Sequence, residues 1–191
     1  MPTLKKLLRL DCHVCPWWLA YAFDNRLRRL WHHPAKILGP YVQEGMTVVD
    51  LGCGMGYFSL GLAHLVGAQG SVISVDIQEN MLKVLERRAI KARIAHRIHL
   101  HRCEPGSLAL DQKVDFALSF WMVHEAPDKK DFLRQIAAIV KPGGKYLLVE
   151  PKVHVTRARF EGTLADGLQI GFNLLARPPI ALSRAALLGK L

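Results

Sequence analysis

Three glycines spaced one residue apart follow a short run of β-branched residues that ends in a carboxylate. The run is Val48-Val49-Asp50-Leu51-Gly52-Cys53-Gly54-Met55-Gly56, and an apolar helix is predicted to begin directly after it. Glycine allows a tight turn and a close approach of backbone to ligand, and the free N–H groups at a helix start favour an anionic group. The pattern predicts a loop that cradles a nucleotide-derived ligand.

The spacing of the glycines narrows the choice of ligand. A dinucleotide-binding loop reads G-x-G-x-x-G, with the third glycine one turn into the helix. Counted from Gly52 the third position is Tyr57, and counted from Gly54 it is Leu60, so neither register fits. A ligand that lacks a pyrophosphate and carries an amino acid near the glycines fits better.

A second carboxylate follows at the end of the next predicted strand, residues 71–76. Asp76 lies about 20 residues beyond the last glycine, the usual place of the acidic residue that binds a ribose. In a doubly wound sheet the tips of the first two strands are neighbours, so Asp76 is placed to accept hydrogen bonds from a ribose diol.

On these residues the chain resembles the class I S-adenosylmethionine (SAM) dependent methyltransferases, whose first motif is similar to Asp50–Gly56. The segment that follows the fourth predicted strand, residues 120–128, and the turn Lys141-Pro142-Gly143-Gly144 with the strand after it also resemble that family. The resemblance implies SAM as cofactor and S-adenosylhomocysteine as product.

The resemblance also implies roles for single residues. Asp50, Gly52, Gly54 and Gly56 would hold the methionine part, Asp76 the ribose, and Glu104 the edge of the adenine, although the match at Glu104 is loose. The neighbours expected to complete the cofactor site are Cys53, Tyr57, Ile77 and Ser119.

The predicted elements agree with the family's fold. Strands are predicted at 47–50, 71–76, 97–101, 114–119, 145–150, 171–176 and 183–188, with amphipathic helices between them and a turn at 141–144. The resemblance implies an α/β, doubly wound, mostly parallel seven-stranded Rossmann-like sheet whose last strand is antiparallel, plus N-terminal helices. Residues 1–40 are interpreted as a helical segment and substrate lid, and residues 41–191 as the SAM-binding core.

His124 is the predicted catalytic residue. The sulfonium of SAM is already an activated leaving group, so a base is needed only where the acceptor is a hydroxyl, an amine or an acidic carbon. An imidazole titrates near neutrality, and His124 lies in the segment expected to border the cleft. The alternative is that His124 only caps a helix or holds its neighbours. Tyr57, Phe58 and Trp121 either turn ring faces to the sulfonium or belong to the core.

Composition limits the partners. The chain has 191 residues, a net charge of +10 and 50% hydrophobic residues, which indicates one globular domain with an anionic partner such as RNA, an acidic metabolite or a membrane surface. The basic residues are spread along the chain, which disfavours nucleic acid. No apolar run is long enough for a transmembrane helix. Lys5, Lys6 and Arg9 before an apolar stretch resemble the start of a secretory signal, but Asp11 and Pro16 interrupt the apolar region. A cytoplasmic location is therefore predicted.

No metal site is predicted. Cys12-His13-Val14-Cys15 has the spacing of half a zinc site or a redox pair, with His32 and His33 nearby, but no second such pair follows. An inert or substrate-facing pair is the preferred interpretation. A cluster at His96, His99 and His101 has no acidic partners, and strand alternation predicts that the last two face away from the core.

The sequence therefore predicts SAM-dependent methyl transfer to an unidentified small-molecule acceptor. Ser119-Phe120-Trp121-Met122 is not the Asn/Asp-Pro-Pro-Tyr/Phe element of enzymes that methylate nucleobase amino groups, so nucleobases are disfavoured. The alternative from another class is a SAM-binding or cofactor-free scaffold that recognises RNA or protein through its basic surface. Arsenite methylation through Cys12 and Cys15 and quinone-type C-methylation remain as further enzyme alternatives.

Overall fold

The computed structural model describes residues 28–191; predictions on Cys12, Cys15 and the rest of residues 1–27 lie outside the described residues. The helices are α1 Arg28–Trp31, α2 Pro34–Leu38, α3 Tyr57–Leu65, α4 Glu79–Lys91, α5 Lys129–Ile139 and α6 Arg157–Ile170. Short 3₁₀ turns lie at Ala95–Arg97 and Val123–Glu125. The strands are β1 Thr47–Leu51, β2 Ser71–Asp76, β3 Ile98–Arg102, β4 Val114–Phe120, β5 Val140–Pro151, β6 Phe172–Ala176 and β7 Ser183–Lys190.

The seven strands form one sheet in the order β3-β2-β1-β4-β5-β7-β6. The strands from β1 to β5 pair in parallel, and β7 runs antiparallel between β5 and β6. This confirms the predicted fold class. The strand order reverses between β1 and β4, and such a switch point opens a ligand crevice at the carboxyl ends of the strands.

Helices cover both faces of the sheet because its central strands are apolar on both sides. Val48 packs with Leu38, Phe58 and Leu62 on one face. Val49 packs on the other face in a cluster that includes Leu133 of α5 and Phe160 of α6. The predicted inward face of α4 is confirmed, since Met81, Leu82, Leu85 and Ala89 are all buried.

The prediction that residues 141–144 form a turn between a helix and the fifth strand is wrong. β5 already begins at Val140, which pairs with Val114, and the register shifts before Phe116 pairs with Lys145. Gly143 has a φ of +76°. The Pro-Gly-Gly sequence thus forms an irregularity inside a long strand, where positive φ lets the chain gain residues without leaving the sheet.

Strand β3 lies at one edge of the sheet, and the predicted alternation describes only one of its two histidines correctly. Leu100 is 37% exposed because no further strand covers that end of the sheet. His99 is exposed as expected. His101 is half-buried instead, with its Nε2 2.8 Å from the carbonyl oxygen of Leu108, so the prediction that it faces away from the core is wrong.

None of the helices in residues 28–191 has the length and apolar composition that crossing a bilayer requires. The predicted cytoplasmic location stays a prediction.

Candidate functional site

The glycine loop lies between β1 and α3 at the switch point of the sheet. All three glycines have positive φ, +66° at Gly52, +54° at Gly54 and +85° at Gly56. A Cβ at Gly52 would lie 2.9 Å from the Cβ of Met122, and one at Gly56 would overlap the side chain of Leu85, whereas one at Gly54 would meet nothing within 4 Å. The outer glycines therefore serve packing, and the central one presents backbone to open space.

Asp76 at the tip of β2 is held in a fixed orientation by the glycine loop. Its two carboxylate oxygens accept the backbone N–H groups of Gly54 at 2.9 Å and Gln78 at 2.8 Å. The N–H of Cys53 donates to the carbonyl of Val75 at 2.9 Å, which ties the loop to β2. Burial raises the pKa of Asp76, and the backbone hydrogen bonds oppose this rise.

Asp50 at the end of β1 is 2% exposed, and its Oδ2 accepts a 2.6 Å hydrogen bond from the hydroxyl of Ser59. Burial raises the pKa of Asp50 to about 6; the bond from Ser59 opposes the rise and the charge of Asp76 adds to it. Sequence analysis missed Ser59. Its signal was a hydroxyl residue inside the otherwise apolar run of α3.

The other predicted cofactor residues surround this pair to different degrees. Ile77 follows Asp76 directly and is half-buried, while Glu104 has a side chain 76% exposed and lies 3.9 Å from Arg102. Cys53 is buried, and burial raises the pKa of its thiol. Ser119 is fully buried with its Oγ 2.6 Å from the hydroxyl of Tyr146, so its own hydroxyl is turned into the core.

These groups fit a cofactor that carries a ribose and an amino acid. The open space at Gly54 leaves backbone accessible beside two carboxylates, and each oxygen of Asp76 has a further lone pair beyond its backbone bond. Asp76 would hold a diol and the loop of Asp50 and Gly54 the amino acid part. Among residues 28–191 there is no group of three His, Cys, Asp or Glu side chains that could hold a metal ion.

The aromatic rings near the glycine loop surround a cation from the protein itself. The guanidinium of Arg28 lies 4.7 Å from the ring centre of Tyr57 and 5.3 to 5.4 Å from those of Phe58, Phe120 and Trp121. The hydroxyl of Tyr57 donates to the carbonyl of His32 at 3.0 Å. Residues 28–32 thereby pack against both the start of α3 and the end of β4.

Trp121 has a strained backbone at the end of β4, with a φ of +63°. A left-handed conformation costs a non-glycine residue about 1–2 kcal/mol, so other contacts must fix it. Its N–H donates to the carbonyl of Val149 at 2.8 Å, and its indole N–H donates to Ser183 Oγ at 2.9 Å. The segment after β4 is thus bound to both β5 and β7.

His124 lies on this segment and pairs with a residue that sequence analysis missed. Its Nδ1 is 2.7 Å from Oε2 of Glu150 near the end of β5, and Glu150 is 2% exposed. Burial works against the charged imidazole, but the hydrogen bond and charge of Glu150 outweigh it, so the pKa of His124 is raised. The ring of His154 stacks at 5.9 Å. Glu150 gave no sequence signal beyond standing at a strand end.

Comparison with known proteins identifies the class to which this fold and site belong. A family described as "Methyltransferase domain" matches residues 42–169. A SAM-dependent methyltransferase from Aquifex aeolicus has a similar fold, with a TM-score of 0.80, 22% identity and coverage of 91% of this chain and 99% of that one.

Two relatives are similar in sequence. A demethylmenaquinone methyltransferase of Shouchella clausii is 33% identical over 112 residues, which is 57% of this chain and 46% of that protein. A ubiquinone/menaquinone biosynthesis C-methyltransferase of Pseudomonas fluorescens is 30% identical over 125 residues, 65% of this chain and 48% of that protein. The chain therefore spans about half the length of these relatives.

The chain belongs to the methyltransferase domain family. It is a class I SAM-dependent methyltransferase domain, as the resemblance of its glycine loop implied. The methyl donor of the family is SAM.

Proposed function

We propose that this protein transfers the methyl group of SAM to a small-molecule acceptor atom that must lose a proton, with His124 as the base. The observation that carries the proposal is the 2.7 Å contact between His124, in the segment after β4, and Glu150 near the end of β5. Met122 of the same segment packs against Gly52 of the glycine loop. Asp50, Gly52, Gly54, Gly56 and Asp76 hold the donor in this account.

Glu150 suits His124 to act as a base. A buried carboxylate at Nδ1 accepts a hydrogen bond from the N–H of that nitrogen, so the lone pair of the neutral ring lies on Nε2. The side chain of His124 is 22% exposed, so its ring remains accessible from solvent. The raised pKa makes the imidazole a stronger base than a free histidine. SAM supplies a methyl group on a positive sulfur, and the protein's own part is to accept the acceptor's proton at Nε2.

The names of the relatives support an acceptor with an acidic O–H or C–H on an oxygen-substituted aromatic ring. The two similar proteins are named for quinone methylation, and such rings expose phenolic or hydroquinone protons that a histidine can accept. We therefore propose a phenol- or hydroquinone-type acceptor. RNA stays the disfavoured alternative.

We also propose that residues 1–40 form a lid over the acceptor. The support is at the described end of this segment, where Arg28 packs on Tyr57 and Trp121 and where His32 Nε2 lies 2.8 Å from the carbonyl of Ala181. These contacts join the N-terminal segment to the glycine loop, to the segment after β4 and to the start of β7.

Transfer of a labelled methyl group from SAM to a panel of phenols and hydroquinones tests the function. We expect the wild type and the matched control His99→Asn, which changes an exposed histidine, to methylate at least one of them. His124→Asn should lower the rate by about 10²- to 10⁴-fold, the range of a general base. Equal rates in the two variants would contradict the role of His124.

A further inference from the structure

A cavity of about 450 Å³, largely open to solvent, lies where β5 ends and β7 begins, and nothing above assigns it a role. It lies between the first turn of α6, the segment after β6 and the start of β7. Its lining residues are Arg157, Phe160, Glu161, Arg177, Pro178, Arg184 and Ala185. The volume falls within the range of small-molecule sites.

The charge of this arginine cavity favours an anion. Three guanidinium groups and a single carboxylate line it, which gives two net positive charges at neutral pH. Hydrogen bonds from Arg177, at 2.7 and 2.8 Å, hold the pKa of Glu161 below its usual range. Phe160 and Ala185 border the cavity but are only 1% and 7% exposed, so a ligand would meet mainly charged groups.

Two of the three guanidinium groups already have hydrogen-bond partners in the protein. Arg184 donates to the carbonyl of Val155 at 2.8 Å, and the charge of Arg157 helps to lower the pKa of Glu161. Arg177 binds Glu161 through two parallel N–H groups, so an incoming anion must displace Glu161 from Arg177. The two side chains are 46% and 40% exposed, so an anion can reach them from solvent. Arginine binds carboxylate and phosphate through two parallel N–H groups.

The register of the sheet connects this cavity to the base. Arg184 of β7 is directly opposite Glu150 of β5, and Glu150 holds His124. Ser183, the preceding residue, accepts the indole N–H of Trp121. The backbone of Arg184, which lines the cavity, therefore lies one strand spacing, about 5 Å, from the backbone of Glu150.

We infer that the arginine cavity binds a carboxylate or phosphate group of the methyl acceptor, so that the acceptor is an anionic small molecule. Only the statement that the bound anion is the methyl acceptor rests on the proposed function, because anion binding can be measured without methyl transfer. A concave site with a carboxylate in its wall suits a compact anion better than a nucleic-acid backbone, which needs an extended basic stripe.

Calorimetric titration with 4-hydroxybenzoate, with neutral 4-hydroxybenzamide and with inorganic phosphate tests the inference. We expect the wild type and Arg159→Gln, a control on the same helix outside the cavity, to bind both anions, and to bind the amide about tenfold more weakly or worse. The double variant Arg157→Gln/Arg177→Gln should lose about tenfold or more in anion affinity, since each lost charge-assisted pair is worth about that factor.

Glu161→Gln gives a test that misfolding cannot imitate. It removes the competing carboxylate, so anion affinity should rise several-fold. Equal binding of acid and amide, or a double variant that matches Arg159→Gln, would overturn the inference. Salt-dependent binding of a short single-stranded RNA that is lost in the double variant would also overturn it in favour of nucleic acid. Anion binding without methyl transfer would leave the cavity site standing and refute the proposed function instead.

Discussion

The part of the site that would bind the methyl donor and the part that would bind the acceptor are built in different ways. The donor half consists of the glycine loop and the ends of β1 and β2, where short-range backbone geometry and two buried carboxylates form the site. The acceptor half consists of the ends of β4, β5 and β7, where the segment after β4 joins side chains 26 to 62 residues further along the chain. The donor half is therefore set by local sequence, and the acceptor half by sheet pairing.

Breaking the His124–Glu150 pair should have the largest effect. With a raised pKa, His124 gains its basic form only as pH rises through that pKa, so the transfer rate should rise over the same interval. Glu150→Gln removes the cause of the raised pKa. Its rising limb should move to lower pH, and its plateau should fall by up to about 10²-fold because a weaker base remains.

The pH–rate profiles of wild type, Glu150→Gln and the exposed control Glu86→Gln provide the measurement. A Glu150→Gln profile that coincides with that of Glu86→Gln would show that the buried carboxylate does not act through His124. Affinity for S-adenosylhomocysteine should be the same in all three, because the substitutions leave the donor half intact.

Two glycine variants distinguish a glycine needed for packing from a glycine needed for cofactor binding. Gly56→Ala should lower the free energy of unfolding by about 4 kcal/mol, since positive φ and overlap with Leu85 each cost about 1–3 kcal/mol. Gly54→Ala has open space around the new methyl and should cost only about 1 kcal/mol, yet it should weaken S-adenosylhomocysteine binding about tenfold. Urea unfolding and calorimetry distinguish the two. Equal stabilities would show that Leu85 yields to the methyl group.

Asp50 gives a smaller, pH-dependent effect. Its folded pKa of about 6 lies above the usual value of an aspartate. The folded state therefore holds a proton that the unfolded state has lost between about pH 4 and 6, and stability should fall as pH rises through that window. The loss is about 3 kcal/mol for a shift of about two units.

Urea unfolding at several pH values checks this prediction. Asp50→Asn removes the titration, so its stability relative to the wild type should increase from pH 4 to pH 7, whereas the exposed control Asp111→Asn should show no such trend. A constant difference between Asp50→Asn and wild type would mean that Asp50 does not titrate in this window.

The same contrast explains what sequence could predict. The glycine turn and the placement of Asp76 beside it depend on a contiguous motif and on periodicity, so they could be predicted from the residues. The topology of the sheet was implied by the resemblance to the methyltransferases. Glu150 and Arg184 acquire their neighbours only from the pairing of β5 with β7, which no local pattern encodes. Gly143 looked like a turn because glycine allows positive φ both in turns and inside an irregular strand, and only the pairing of Val140 with Val114 decides between them.

Titration of S-adenosylhomocysteine by calorimetry tests most directly whether the donor half of the site binds the cofactor independently of His124 in the acceptor half. Asp76→Ala should lose most of its affinity, because the carboxylate fixed by Gly54 and Gln78 is the group placed for the ribose. His124→Asn should bind as the wild type does while failing in methyl transfer. Wild-type affinity in Asp76→Ala, or lost affinity in His124→Asn, would contradict the account.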